Sequence, residues 1–178
     1  MGLQLTDSCI KQELVQKYFN MVYKIALSRT GDVHHAEDVV QDTFVRFLKS
    51  DKEFESEEHV KAWLIKVTVN CSKSVFLSAW YKKTAPLNEE ISFDSPEKSE
   101  VYYATMALPQ KYRTVIHLFY YEDMSVRDIS LALGIKETTV KSQLHRGREL
   151  LKENLKGEYG DEAKLHSLIH STFKVLVV

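Results

Sequence analysis

One stretch constrains the fold more than any other: MSVRDISLALGIKETTVKSQLHRGRELL, residues 124 to 151. Ser125 is suited to cap a short helix, and Asp128, three residues on, to return the bond. Val126, Ile129 and Leu133 recur at three and four residues and give that helix one apolar face. Gly134 then permits the left-handed backbone of a sharp turn, Ile135 plugs the angle between two helices, and a second helix starts near Glu137. Val140, Leu144 and Leu151 hold this second helix to the first, although Lys136 stands at its N-cap and lacks the capping oxygen of a serine. Cap, spacing, turn glycine and plug together define a helix-turn-helix.

With those apolar positions inward, Thr138, Thr139, Lys141, Ser142, His145, Arg146 and Arg148 lie on or beside the opposite face, with Lys136 at its start. The N-terminal part of such a helix enters the major groove of duplex DNA, where Thr, Lys and Ser reach base edges. Arg146 and Arg148 are placed to neutralise phosphates, so binding is expected to weaken steeply with salt.

Upstream, the same helical period continues. Ile10, Leu14, Tyr18, Val22 and Ile25 predict a first helix from about Asp7 to Arg29, closed by Gly31. Asp32 caps a second, with Ala36, Val39, Val40, Thr43, Phe44, Phe47 and Leu48 on its apolar face. A third begins near Glu57 and carries Val60, Trp63, Leu64, Val67, Cys71 and Val75 on one side, with Trp63 assigned to the core. From about Thr84 to Ser99, Pro86, Asn88, Ser92, Ser95 and Pro96 interrupt the period among mostly acidic residues, as in an interdomain linker. Beyond it, Tyr102 to Ala107 form a short helix, and Pro109 suits the first turn of a helix bearing Tyr112, Val115, Ile116, Phe119 and Tyr120. The expected fold is all-α: two small helical domains joined by a flexible linker, the C-terminal one a helix-turn-helix.

The whole chain carries a net charge of −1, so a nucleic-acid surface must come from uneven placement. Residues 32 to 58 hold nine acidic side chains against three basic ones, whereas residues 61 to 83 hold five lysines and no acid. Residues 84 to 110 turn acidic again, with five acids against Lys98, and residues 136 to 156 hold six basic against three acidic. Such blocks imply at least two different partners.

An enzyme requires a constellation that is missing from this sequence. His34 and His35 are adjacent, and His166 and His170 are four apart without the glutamate of a zinc-protease motif. There is no Gly-rich phosphate loop, CxxC pair or serine-nucleophile motif, so neither cofactor nor metal is expected. The two cysteines, Cys9 and Cys71, are expected as buried thiols of a reducing compartment. No stretch reaches the roughly 18 apolar residues of a membrane span, and the N-terminus lacks a leader pattern, so a soluble, cytoplasmic protein is expected.

Taken in order, AEDVVQDTFVRFL (Ala36 to Leu48), AWLIKVTVN (Ala62 to Asn70), LPQKYR (Leu108 to Arg113) and the helix-turn-helix resemble the extracytoplasmic-function (ECF) sigma factors, small promoter-recognition subunits of bacterial RNA polymerase. The resemblance covers about residues 10 to 156. It implies a region 2-like domain over residues 1–83, an acidic linker over 84–100, and a region 4-like domain over 101–156, with an extension of open role at 157–178. It further implies that Asp38, Gln41, Asp42 and Arg46 face the clamp helices of the polymerase's largest subunit, with the flap of the second-largest subunit as a further contact. Asn70 matches the family's base-reading position in the minus-10 element. Lys66, Lys73, Lys82 and Lys83 would line the single-strand path, with Trp80 or Tyr81 stacking on bases. Ser74 and Ser78 depart from the family, standing where an acidic or amide residue and an arginine are common. The helix-turn-helix would read the duplex minus-35 element. The family is commonly restrained by an anti-sigma factor, which would hold the protein at the membrane, and a stress or envelope regulon is implied. The alternative from the residues alone is a stand-alone helix-turn-helix regulator.

Overall fold

The computed structural model describes residues 8–77 and 100–155. The chain divides into two compact units, Met1–Glu89 and Glu90–Val178. Among the described residues every regular element is an α-helix.

The N-terminal unit contains α1 (Ser8–Thr30), α2 (Val33–Lys49) and α3 (Glu57–Leu77), each packed on the other two. Gly31, at φ 70°, stops α1 and lets the chain double back. Asp32 caps α2 as the sequence implies, its carboxylate accepting from the His35 N–H at 2.8 Å. Ser56 plays the same part for α3, accepting from the His59 N–H at 3.3 Å. Far along the chain, Lys11 donates to the carbonyls of Leu48 and Ser50, at 3.0 Å each, and so caps the C-terminus of α2 from α1. Tyr18 donates to Glu57 at 2.6 Å, and Lys17 pairs with the same carboxylate, tying the middle of α1 to the start of α3. Burial and that carboxylate push the Tyr18 phenol above its ordinary pKa.

Val22, Ile25, Phe47, Phe54, Val60 and Leu64 fill the core, all at 1% exposure or less. Phe47 meets Phe54 and Trp63 at centroid distances of 6.1 and 5.9 Å, so Trp63 takes the packing role expected of it. Arg29 is an unusual inhabitant of this interior: it is 8% exposed, its Nε has no hydrogen-bond partner among the described residues, and burial pushes its pKa down to about 10. It lies in the last turn of α1, where the helix dipole favours a cation.

Two sequence expectations fail in this unit. Cys71 is buried, with its thiol pushed up by burial, but Cys9 is exposed; it sits in the first turn of α1, ahead of the first buried position, Leu14. Leu48 is 47% exposed rather than inward. It follows Phe47, the last fully buried residue of α2, and the 100° step of a helix carries it to the rim.

The C-terminal unit contains α4 (Glu100–Met106), α5 (Gln110–Tyr120), α6 (Val126–Leu133) and α7 (Glu137–Asn154). Pro109 is the N-cap of α5 rather than its first helical residue, its carbonyl accepting from the N–H groups of Tyr112 and Arg113. Arg113 locks α4 to α5 by donating to the Met106 carbonyl at 2.7 Å. Val115, Ile116, Leu118, Ile129, Val140 and Leu151 form the core, each fully buried.

Candidate functional site

The helix-turn-helix is built as its sequence dictates. Ser125 accepts from the Asp128 N–H at 3.1 Å. The Ser125 hydroxyl in turn donates to the Asp128 carboxylate at 2.6 Å; the longer glutamate of a capping box would instead accept from the cap's backbone N–H. Gly134 adopts φ 68°, and the N–H groups of Gly134 and Ile135 both close on the Ser130 carbonyl. The Ser130 hydroxyl donates to the Ile135 carbonyl at 2.5 Å, pinning the turn. Ile135 is half-buried between the helices. Lys136 makes no side-chain cap bond, as its chemistry requires.

Helix α7 buries Val140, Leu144, Gly147 and Leu151. Gly147 is there for close approach: a Cβ at this position would lie 3.0 Å from Ile116 Cγ1 and 3.3 Å from its Cδ1. Lys136, Thr138, Lys141, Ser142, His145 and Arg146 are exposed, whereas Thr139 and Arg148 are half-buried. Ser142 donates its hydroxyl proton to the Thr139 carbonyl at 2.9 Å, which turns its lone pairs outward as acceptors.

The two arginines stand in different surroundings. Arg146 pairs with Glu149 at 3.0 Å, a contact that raises the guanidinium pKa and lowers that of the carboxylate. His145 approaches the same carboxylate at 3.5 Å. Arg148 instead donates from Nε to the Tyr120 hydroxyl at 2.8 Å, with its guanidinium 5.7 Å from the ring centroids of both Phe119 and Tyr120. Glu149 escaped the sequence reading, although its spacing from Arg146 and His145 is that of helical pairs. The Tyr120 contact spans 28 residues and leaves no local signal.

In the other unit, Lys66, Asn70 and Lys73 are exposed along one face of α3, at intervals of four and three residues. Lys73 donates to the Asn70 side-chain oxygen at 3.4 Å. Trp80, Tyr81, Lys82 and Lys83, the acidic linker at 84–99, and His166 and His170 lie outside the described residues. Asp38, Gln41, Asp42 and Arg46 are all exposed on α2. Beside them the structure adds Val45 and Leu48, 46% and 47% exposed, with Phe19 of α1 at 47% stacked on Phe44. This apolar margin was hidden in a period that assigned Leu48 to the core.

Among the described residues no group of three or more His, Cys, Asp or Glu could hold a metal, and no helix is long and apolar enough to cross a membrane. The site is thus a pair of surfaces: an acidic helix face with an apolar margin on one unit, and a helix-turn-helix with a basic face on the other. The helix-turn-helix with its exposed basic side chains defines the class as a DNA-binding protein.

Comparison with known proteins places it further. Residues 14–81 match the family model for sigma-70 region 2, and residues 98–151 match that for sigma-70 region 4. The chain is 32% identical to the ECF RNA polymerase sigma factor SigM of Bacillus subtilis over 152 residues, covering 79% of this chain and 91% of that one. It is 28% identical to SigE of Mycolicibacterium smegmatis over 156 residues, covering 80% of this chain but only 60% of the relative's length. Its fold is similar to that of the sigma factor RpoE of Bartonella quintana, solved in complex with the anti-sigma factor NepR: TM-score 0.68, 25% identity, 86% of this chain and 100% of that one. The chain belongs to the ECF family of RNA polymerase sigma factors, proteins that bind core polymerase and direct transcription initiation. A region 2 unit ahead of the helix-turn-helix disfavours a stand-alone regulator.

Proposed function

We propose a division of labour between the two units. Helix α2 holds the protein on the clamp helices of the polymerase's largest subunit through Asp38, Gln41, Asp42 and Arg46, with Val45 and Leu48 adding apolar contact and the flap of the second-largest subunit engaging elsewhere on the chain. Helix α3 captures the opened minus-10 strand: Asn70 reads a flipped base, while Lys66 and Lys73 follow the backbone. Lys82 and Lys83 extend that path, and Trp80 or Tyr81 offers a stacking surface. Helix α7 reads the duplex minus-35 element through Lys136, Thr138, Thr139, Lys141, Ser142 and His145, with Arg146 and Arg148 on phosphates. The boundaries that follow are residues 1–83 for minus-10 and polymerase contacts, 84–100 for the linker, 101–156 for minus-35 recognition and 157–178 for an extension.

The observation that carries this reading is the contrast between the acids on and just after α2 (Glu37, Asp38, Asp42, Asp51, Glu53 and Glu55) and the Lys141–His145–Arg148–Lys152 side of α7, on two separate units. An acidic face repels DNA and suits a basic protein partner, and the basic face does the reverse. The chain itself performs no bond chemistry, which polymerase supplies. It works in the bacterial cytoplasm on a stress or envelope regulon, and an anti-sigma factor restrains it, as NepR binds the Bartonella RpoE.

The test is promoter-directed transcription from a genomic template by core polymerase with the full-length chain added. Specific starts sharing two upstream elements are expected. Lys141→Ala and Arg146→Ala should weaken use of the duplex element, and Asn70→Ala should impair strand opening. No chain-dependent transcript, or all three variants initiating like wild type, contradicts the assignment.

A further inference from the structure

The exposed side of α7 consists of two neighbouring rows that differ in charge. Lys141, His145, Arg148 and Lys152 follow one another at intervals of four, three and four residues and contain no acid. Ser142, Arg146, Glu149 and Glu153 form the next row, where Glu149 occupies Arg146 and both carboxylates act on it. The first row has no carboxylate of its own, though its His145 lies 3.5 Å from Glu149, and it holds the one arginine of the helix that makes no ion pair among the described residues.

That arginine is also the better anchored of the two. Tyr120 is 5% exposed, and its hydroxyl takes the Arg148 Nε–H at 2.8 Å. The rings of Phe119 and Tyr120, whose centroids are 5.1 Å apart, lie on one side of the guanidinium carbon at 5.7 Å each. With Nε engaged, the two terminal nitrogens make no hydrogen bond to a described residue, and a guanidinium fixed in this way presents them as an end-on fork. A fork of that shape fits two oxygens of one phosphate, and its pre-set rotamer lowers the ordering cost of binding.

We infer that Tyr120 is a positioning residue that holds Arg148 as a two-pronged clamp for a DNA phosphate, C-terminal on α7 to the reading positions Lys141 and His145. The inference rests on the reading that α7 docks on duplex DNA. It assigns α5, outside the helix-turn-helix, a part in recognition.

The experiment uses the full-length chain and a duplex recovered by it from a random-sequence pool, with affinity measured across a salt series and thermal melting in parallel. Arg148→Ala should bind about tenfold more weakly and lower the slope of log affinity against log salt by about one, the signature of one lost phosphate contact. Arg148→Lys should keep the slope yet fail to restore affinity, since an ammonium has no fork. Tyr120→Phe keeps both rings and the slope, and should lose about threefold in affinity. A wild-type slope in Arg148→Ala, or wild-type affinity in Tyr120→Phe, overturns the inference. Lys141→Ala separates the two levels: if it too binds as wild type, or if no sequence is recovered from the pool, the docking of α7 on DNA falls with it; if it binds more weakly while Arg148→Ala keeps its slope, only the clamp is lost.

Discussion

Helices α2 and α7 are each fixed by one face and offer the other to a partner, yet they are fixed in different ways. The inner face of α2 carries Phe44 and Phe47, and Phe47 packs through ring contacts with Phe54 and Trp63. The inner face of α7 has no aromatic ring, with Val140, Leu144, Gly147 and Leu151, and Gly147 sets the backbone close on Ile116. Bulk holds the first helix and closeness holds the second. The outward faces then differ in sign, which decides what each can bind.

Three substitutions probe this contrast, in descending order of effect. Phe47→Ala removes the ring that α2 shares with Phe54 and Trp63 and should cost about 3–5 kcal/mol. Calorimetry should show the N-terminal unit melting earlier, with duplex binding by α7 retained; loss of duplex binding would show that the contrast is false. Gly147→Val forces two methyl groups against fully buried Ile116 and should cost about 1–3 kcal/mol, this time weakening duplex binding with little effect on polymerase association. Wild-type stability there would mean that α7 has room to retreat. Asp32→Ala removes the cap of α2 and should cost about 1 kcal/mol.

The cap of α2 also responds to pH. Burial raises the Asp32 pKa, but the bonds from the His35 N–H and ring outweigh it, leaving the carboxyl below its ordinary 3.8. A depressed folded pKa means that the contribution is present above the ordinary value and lost as pH falls below about 3.8 through the folded one. Acid melting of Asp32→Ala should therefore be flatter than that of wild type in this range. An unchanged acid profile would remove Asp32 from the account.

Much of this was legible because local chemistry and global packing agree in the helix-turn-helix. Ser125, Gly134 and the Val140–Leu144–Leu151 spacing each report one feature, and each feature formed. The errors fall at helix ends. Leu48 and Cys9 both continue or precede an apolar period, but a period does not reveal where the neighbouring helix stops covering it. Long-range contacts were beyond reach for a different reason: Lys11 with the end of α2, Tyr18 with Glu57 and Arg148 with Tyr120 join residues 28 to 39 apart, and nothing in their local sequence specifies a partner. Of the candidate site, the charged outward faces could be read directly, whereas the apolar margin of Phe19, Val45 and Leu48 required the structure.

The central claim is that the acidic face of α2 binds polymerase while the basic face of α7 binds duplex. The most direct test measures both affinities for each of two full-length variants, Asp42→Lys and Lys141→Ala. The account predicts a double dissociation: Asp42→Lys should lose about tenfold in affinity for core polymerase with duplex affinity retained, and Lys141→Ala should do the reverse. If either variant weakens both interactions equally, or neither, the division of labour is wrong.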